Sequence, residues 1–278
     1  MKTILIPIDF SKTSHKALEV GATIAKRIKA KLVLIHMAGL EEGLNDKNNS
    51  FEQAIFYSKY IGGKFEELIK EPYLKDVLVE PILQKHLDFE SINDLAKEID
   101  AALIIMGSHG SKGLTEIIKG SNTEKVVRYS EIPVLVVKNN EINFAPPERL
   151  LYVSDFNTET IKAYHRMVEI ATMFNARIEF LYVNLPGKQF KSTNEMDETL
   201  LTFFKEVKHP DPVKAISTVN RYADYTVEQG VMNFASLSGT DIIAIPTHGR
   251  TGISHLLQGS ISEDIANHAV MPVLTVKM

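Results

Sequence analysis

Four glycines, Gly107, Gly110, Gly113 and Gly120, fall within fourteen consecutive positions of a chain that has only 15 glycines among 278 residues. They follow an apolar run, Leu103-Ile104-Ile105-Met106, and lead into Ser121-Asn122-Thr123, where a helix is expected to open. Glycine lets backbone N–H groups approach an anion closely, and a helix N-terminus adds free donors and the positive end of its dipole. The hydroxyls of Ser121 and Thr123 would add more. The chemistry implied is a phosphate cradle, although the same residues also describe a glycine-punctuated turn in which Ser121 only caps the helix. Neither Gly-x-x-x-x-Gly-Lys-Ser/Thr nor Gly-x-Gly-x-x-Gly occurs, so this is not a P-loop or a Rossmann dinucleotide loop. With no P-loop lysine, phosphate charge would fall on backbone, hydroxyls and metal.

Asp9 closes the first apolar run, Ile4-Leu5-Ile6-Pro7-Ile8, and would lie on the same sheet edge as the glycine cluster. A carboxylate there can accept hydrogen bonds from ribose hydroxyls or a base amino group. It can equally cap the helix expected to open at Ser11. Its recurrence as Asp155 in a second copy of the pattern shifts weight toward a site.

These residues need a scaffold, and the chain repeats one. Ile4-Leu5-Ile6-Pro7-Ile8-Asp9-Phe10-Ser11 returns as Leu150-Leu151-Tyr152-Val153-Ser154-Asp155-Phe156-Asn157. Ser108-His109-Gly110-Ser111-Lys112-Gly113 returns as Thr247-His248-Gly249-Arg250-Thr251-Gly252, and Pro133-Val134-Leu135-Val136-Val137-Lys138 as Pro272-Val273-Leu274-Thr275-Val276-Lys277. Order and offset are kept, at 146 positions for the aspartates and 139 for the rest. The polar junction ending in Pro146-Pro147 suits a linker, which gives domains 1–143 and 144–278. Within each copy, Ile/Val/Leu-rich runs alternate with helical patterns, as in an α/β parallel sheet covered by helices on both faces. Strands are predicted near 3–8, 31–36, 76–82, 102–106 and 134–138, with helices near 12–29, 51–70, 88–99 and 121–130. The second copy predicts strands near 149–154, 177–183, 213–219, 241–245 and 273–277, with helices near 158–174, 194–207, 223–238 and 260–269. Phe51, Ile55, Phe56, Ile61, Phe65, Leu68 and Ile69 have helical spacing and are expected to pack on the sheet.

Composition narrows the function classes. A content of 44% hydrophobic and 24% charged residues suits a globular chain with a substantial core. Lys+Arg 31 against Asp+Glu 35 gives a net charge of −4, which argues against nucleic acid or an anionic membrane as the main partner. The absence of cysteine excludes disulfides, thiolate metal sites and cysteine nucleophiles. No signal-like or membrane-length apolar run is present, so a cytoplasmic location is expected.

Gly107-Ser108-His109-Gly110, nine residues and then Gly120-Ser121 resembles the Gly-x-x-Gly, nine residues, Gly-Ser/Thr motif of nucleotide-binding universal stress proteins. With Asp-Phe-Ser after the first strand and Pro-Val-Leu-Val-Val in the last, the resemblance to that family covers both copies. It implies two tandem Rossmann-like domains of the adenine nucleotide alpha hydrolase type, each a five-stranded parallel sheet in the order 3-2-1-4-5. It further implies ATP or a related adenine nucleotide at the switch between strands one and four. Mg²⁺ is expected only as the nucleotide's companion, held mostly by phosphate oxygens and water. Asp9 would contact base or ribose, the backbone near Met37 would line the adenine pocket, and Gly107, Gly110, Gly120, Ser121, Asn122 and Thr123 would surround ribose and phosphates.

The second copy departs from the motif. Pro246 stands where Gly107 stands, which removes an N–H donor and forbids positive φ, and Ile261 replaces Asn122. Its weaker candidate site comprises Asp155, Val183, Gly249, Gly259, Ser260 and Ser262, and the expectation is that it binds nucleotide weakly or not at all. The last strands, PVLVVK and PVLTVK, would be exposed apolar edges in isolated domains. The resemblance implies that they pair antiparallel, making one chain a pseudo-dimer, with further homo-oligomer formation open. His36, His109, His248, His255 and His268 show no metal-ligand spacing, and no catalytic triad or general base is evident. The leading function is a stress-response protein with a regulatory adenine nucleotide. The alternatives are a slow ATPase or adenylate-using enzyme, and a nucleotide-independent interaction or small-ligand module.

Overall fold

A computed structural model of the chain describes residues 1–37, 50–84, 89–108, 122–138, 144–247, 265 and 269–278. The first half runs β1 (Thr3–Pro7), α1 (Lys12–Ile28), β2 (Lys31–Met37), α2 (Ser50–Leu68), β3 (Leu78–Gln84), α3 (Phe89–Glu98), β4 (Ala101–Ser108), α4 (Asn122–Tyr129) and β5 (Val134–Lys138). The second runs β6 (Arg149–Val153), α5 (Ile161–Phe174), β7 (Arg177–Asn184), α6 (Thr193–Glu206), α7 (Pro212–Ser217), β8 (Val219–Ala223), α8 (Val227–Ser238), β9 (Ile242–Thr247) and β10 (Val273–Lys277).

The central strands are apolar throughout because both sheet faces are covered; Leu32, Val33, Leu34 and Ile35 are all buried. All ten strands join one sheet in the order β3-β2-β1-β4-β5-β10-β9-β6-β7-β8. Each half therefore has the order 3-2-1-4-5, read inward to a shared seam. Pairing is parallel within each half, and antiparallel at the seam, where Leu274 faces Leu135 and Val273 faces Val136. The apolar edge that each half would expose is thus covered by the other.

Alternation along the strands sorts side chains between faces. Leu103 and Ile105 join Leu150 and Tyr152 in one core shared by α1, α2, α5 and α6. Ile104 and Met106 point the other way, toward α3 and α4, as Leu151 and Val153 point toward α8. Across the halves, Arg27 Nε at the end of α1 donates to the Phe174 carbonyl at the end of α5, at 3.0 Å.

Three expectations change. The predicted strand at 213–219 is helix α7 followed by the start of β8. Asp211 caps that helix by accepting from Lys214 N, and Pro212 occupies its first turn, where the missing N–H costs nothing. The predicted helix at 223–238 starts at Val227, because Ala223 still pairs with Asn184 in the sheet and Thr226 supplies the cap. The apolar residues expected to pack from this helix are only partly core: Ile61, Phe65 and Leu68 are buried, but Ile55 and, just past α2, Ile69 are exposed and Phe56 is 73% exposed, while the side chain of Phe51 lies outside the described residues. Tyr57 meets His36 one residue from the end of β2, so the turns before it extend past the sheet's carboxyl edge. The predicted helix at 260–269 and the domain division at residue 143 lie outside the described residues, apart from Ile265 and Ala269.

Candidate functional site

The carboxyl ends of β1, β2 and β4 lie side by side, and β1 is the strand from which the chain departs first to one side and then to the other. That reversal opens a crevice at the sheet edge. Asp9 follows β1 and is exposed at this rim, with its Oδ1 accepting from Ser11 N at 2.9 Å. Partial desolvation of the carboxylate raises its pKa, but hydrogen bonds from the Ser11 side chain and backbone and from Ser14 outweigh that and hold it below the ordinary value. The cap of α1 is Ser11, whose Oγ accepts from Ser14 N. Asp9 makes the turn before it, which Phe10 completes at φ 61°.

Met37 ends β2, half-buried against the core under α3 and α4. Beside it, His36 is held on both ring nitrogens, by the Ile8 carbonyl at 2.7 Å and the Tyr57 hydroxyl at 2.9 Å, and its ring lies against Phe10. Gly107, near the end of β4, backs onto the first turn of α1: a Cβ there would meet the Thr13 carbonyl oxygen at 2.3 Å. Its own carbonyl accepts from Thr123 Oγ1 at 3.2 Å, which ties the first turn of α4 to the strand end. Asp9, Met37, Gly107 and Thr123 are therefore all placed on this edge. Asn122 opens α4, while Gly110, Gly120, Ser121 and His109 lie outside the described residues.

One residue that sequence reasoning left out is Ser108, the last residue of β4. It is 4% exposed and its Oγ has no hydrogen-bond partner among the described residues. Its position inside the Gly-x-x-Gly motif was the available signal, since a strand-ending residue there must face one side of the loop. Lys138, its register partner on β5, has its ammonium pKa pushed down to about 8 by burial.

In the second half, Asp155 takes the place of Asp9, but both of its oxygens accept from Asn157, through the backbone N and the side-chain amide. Val183 ends in contact with α8: its Cγ1 lies 2.7 Å from where a Cβ on Gly230 would sit. Gly249, Gly259, Ser260, Ser262 and His248 lie outside the described residues. A cavity of about 370 Å³, which the sequence did not suggest, opens beyond β7 and β8 between Asn184, Phe190, Asp224 and Tyr225. Among the described residues, no three His, Asp or Glu side chains come together as a metal site, and no helix is long and apolar enough to cross a membrane.

Sheet order, seam and sheet-edge crevice define a tandem pair of doubly wound α/β units. The model of the universal stress protein family matches residues 1–138 and again 147–277. The chain belongs to the universal stress protein family, in its tandem form, and a stress-response role comes with that membership. Universal stress protein MJ0577 of Methanocaldococcus jannaschii is 35% identical over 156 residues, covering 49% of this chain and 94% of that protein. Universal stress protein YxiE of Bacillus subtilis is 29% identical over 147 residues, covering 49% of this chain and 97% of its own length. A universal stress protein structure from Archaeoglobus fulgidus superposes over 99% of this chain and 96% of its own, with a TM-score of 0.68 at 17% identity, which speaks to fold alone.

Proposed function

We propose that the first half binds ATP or a related adenine nucleotide as a regulatory ligand. What supports this reading is the position of Gly107 and Ser108 at the end of β4, beside β1 at the reversal of strand order, on the sheet edge that also carries Asp9 and Met37. In this reading Asp9 accepts from base or ribose and the backbone at Met37 lines the adenine. Gly107, Gly110, Gly120, Ser121, Asn122 and Thr123 surround ribose and phosphates. Thr123 does so from a position already fixed by its bond to Gly107. Mg²⁺, where present, is held by phosphate oxygens and water.

We also propose that the domains divide near 143, that the second half binds nucleotide weakly or not at all, and that the protein works in the cytoplasm. Pro246 in place of Gly107, and the engagement of both Asp155 oxygens, support the asymmetry. Mass spectrometry of small molecules released on denaturation, with calorimetry on stripped protein, tests the reading. About one adenine nucleotide per chain, lost in Asp9→Ala combined with Gly120→Val, is expected. Two equivalent sites per chain would contradict the asymmetry, and no heat with ATP would favour a nucleotide-independent module. Phosphate released catalytically, rather than once per chain, would favour a slow ATPase.

A further inference from the structure

Phe190 and Tyr225 stand apart from the other aromatic residues of the second half. Phe156, Phe174, Phe180, Phe203 and Phe204 are buried, whereas Phe190 is 62% and Tyr225 83% exposed. Both line the cavity of about 370 Å³ at the carboxyl ends of β7 and β8, together with Asn184, Leu185 and Asp224. Cavities of about 300 Å³ and above are large enough for small molecules. This one lies at the two outer strands of the half, so it is distinct from the position after β6, where Asp155 matches Asp9.

The walls are fixed by hydrogen bonds. On one side, the Asn184 amide brackets Lys191: its Nδ2 donates to the Lys191 carbonyl at 2.9 Å and its Oδ1 accepts from Lys191 N at 3.0 Å. The loop between them makes a 3₁₀ turn, Gly187–Gln189, closed by Phe190 N donating to the Gly187 carbonyl at 3.3 Å. Phe190 thus sits on a held backbone although its ring faces solvent. On the other side, Asp224 Oδ1 accepts from Tyr225 N at 2.7 Å and Oδ2 from Asn233 Nδ2 of α8 at 2.9 Å. Asp224 Cβ lies 3.2 Å from where a Cβ on Gly230 would sit, so the glycine lets α8 close behind it. Little ordering of these two segments is left for a ligand to impose.

The chemistry of the lining is one-sided. Asp224 is its one charged side chain, and each carboxylate oxygen carries one of the two hydrogen bonds it can accept. The faces of aromatic rings are electronegative and attract cations. Lys191, next to Phe190 in sequence, turns its ammonium away, over the Tyr182 ring at 5.8 Å and toward Thr199 Oγ1 at 3.5 Å. The lining therefore offers acceptors and ring faces, with no cationic side chain to balance a phosphate or carboxylate.

We propose that this cavity is a small-molecule site of the second half, separate from the nucleotide crevice, for a planar aromatic cation. The flat ring lies against Phe190 and Tyr225, and its amidine- or amine-type N–H groups donate to Asp224. A carboxylate accepting from a planar, forked donor is a strong and directional pairing. Anionic ligands, nucleotides among them, are disfavoured by the same carboxylate. The inference does not rest on nucleotide binding by the first half.

The test is amide chemical-shift mapping by NMR on the full-length chain with benzamidine and with benzoate, which share one ring and differ in the sign of their charge. Benzamidine is expected to shift the amides of residues 187–191 and 224–226, and benzoate to leave them in place. Tyr225→Ala is expected to weaken benzamidine about fivefold or more, while Tyr225→Phe, which keeps the ring, stays within about twofold. Asp224→Asn is expected to weaken it about tenfold and to reduce the discrimination against benzoate. Tyr225 is too exposed for its truncation to threaten the fold, so the Tyr225 pair decides the matter should Asp224→Asn disturb the turn it holds. Benzamidine without effect on those amides, equal binding of the two probes, or a Tyr225→Ala chain that binds as wild type does would overturn the inference. Each of these outcomes leaves the nucleotide reading of the first half where it stands.

Discussion

Gly107 and Thr13 are in backbone contact: the first carbon of any side chain at 107 would lie 2.3 Å from the Thr13 carbonyl oxygen and 2.5 Å from its carbon. The glycine that opens the proposed nucleotide loop is therefore also what allows α1 to begin its first turn against β4. The second half shows what accompanies its loss. Pro246 stands at the equivalent position, and the segment equivalent to the start of α1 is a 3₁₀ turn, Thr158–Thr160, with α5 beginning only at Ile161. Chain geometry at the helix start and loop composition thus change together between the halves.

Gly107→Ala is expected to destabilise the chain by about 1–3 kcal/mol, since the opposing atoms are backbone and cannot rotate aside. Urea unfolding of nucleotide-free protein measures it. A variant as stable as wild type would mean that the contact is looser than described.

The seam yields a second expectation. Leu135 and Leu274 face each other across β5 and β10, both fully buried, and Thr275 Oγ1 adds a bond to the Val134 carbonyl at 3.2 Å. Leu274→Ala is expected to cost about 2–5 kcal/mol. Leu274→Asp should open the seam and expose two apolar edges, seen as aggregation in light scattering. A monodisperse Asp variant of unchanged urea midpoint would show that the halves do not depend on this pairing.

The repeat itself made most of this architecture legible. Asp9-Phe10 and Asp155-Phe156 recur with the same backbone, both phenylalanines lying at positive φ, 61° and 55°. The strands at the sheet centre were readable because burial on both faces demands unbroken apolar runs. The edge strand β8 was not. Its Asn220, Arg221 and Tyr222 are half-buried and polar, while the apolar Val213, Ala215 and Ile216 just before it form α7. Asp211-Pro212 carried the correct signal, a cap followed by proline in the first turn, and outranks apolar content there. In the site, Asp9 and the glycine motif were legible as residue types. The pairing of Ser108 with Lys138 was not, because it joins strand positions 30 residues apart in sequence.

The two positive-φ phenylalanines differ in what surrounds them. Phe156 is 1% exposed, with its ring at 5.3 Å from Phe203 and contacts to Tyr152, Phe180, Tyr182 and Phe204. Phe10 is half-buried, touching His36 and Phe65. Phe156→Ala is therefore expected to cost about 3–5 kcal/mol and Phe10→Ala about half as much. Midpoint shifts in urea give the comparison, and equal costs would contradict the difference in packing.

Lys138 also sets a pH dependence on the nucleotide-free fold. Its ordinary value of 10.5 applies to the unfolded chain, and burial brings the folded value to about 8. Below pH 8 the lysine is charged in both states, and the folded state carries the desolvation penalty. Between about pH 8 and 10.5 the unfolded chain holds more protons than the folded one, so this contribution makes stability rise with pH across that window. Above it the penalty is gone. Lys138→Met removes the penalty at every pH, so it is expected to be more stable than wild type at pH 7, by on the order of 1 kcal/mol once solvent screening of a half-buried group is allowed for. The advantage should shrink steadily between pH 8 and 10.5. Urea unfolding at pH 7, 8, 9 and 10 follows it, and a stability difference that stays constant across that series would show that Lys138 keeps its proton in the fold as readily as in the unfolded chain.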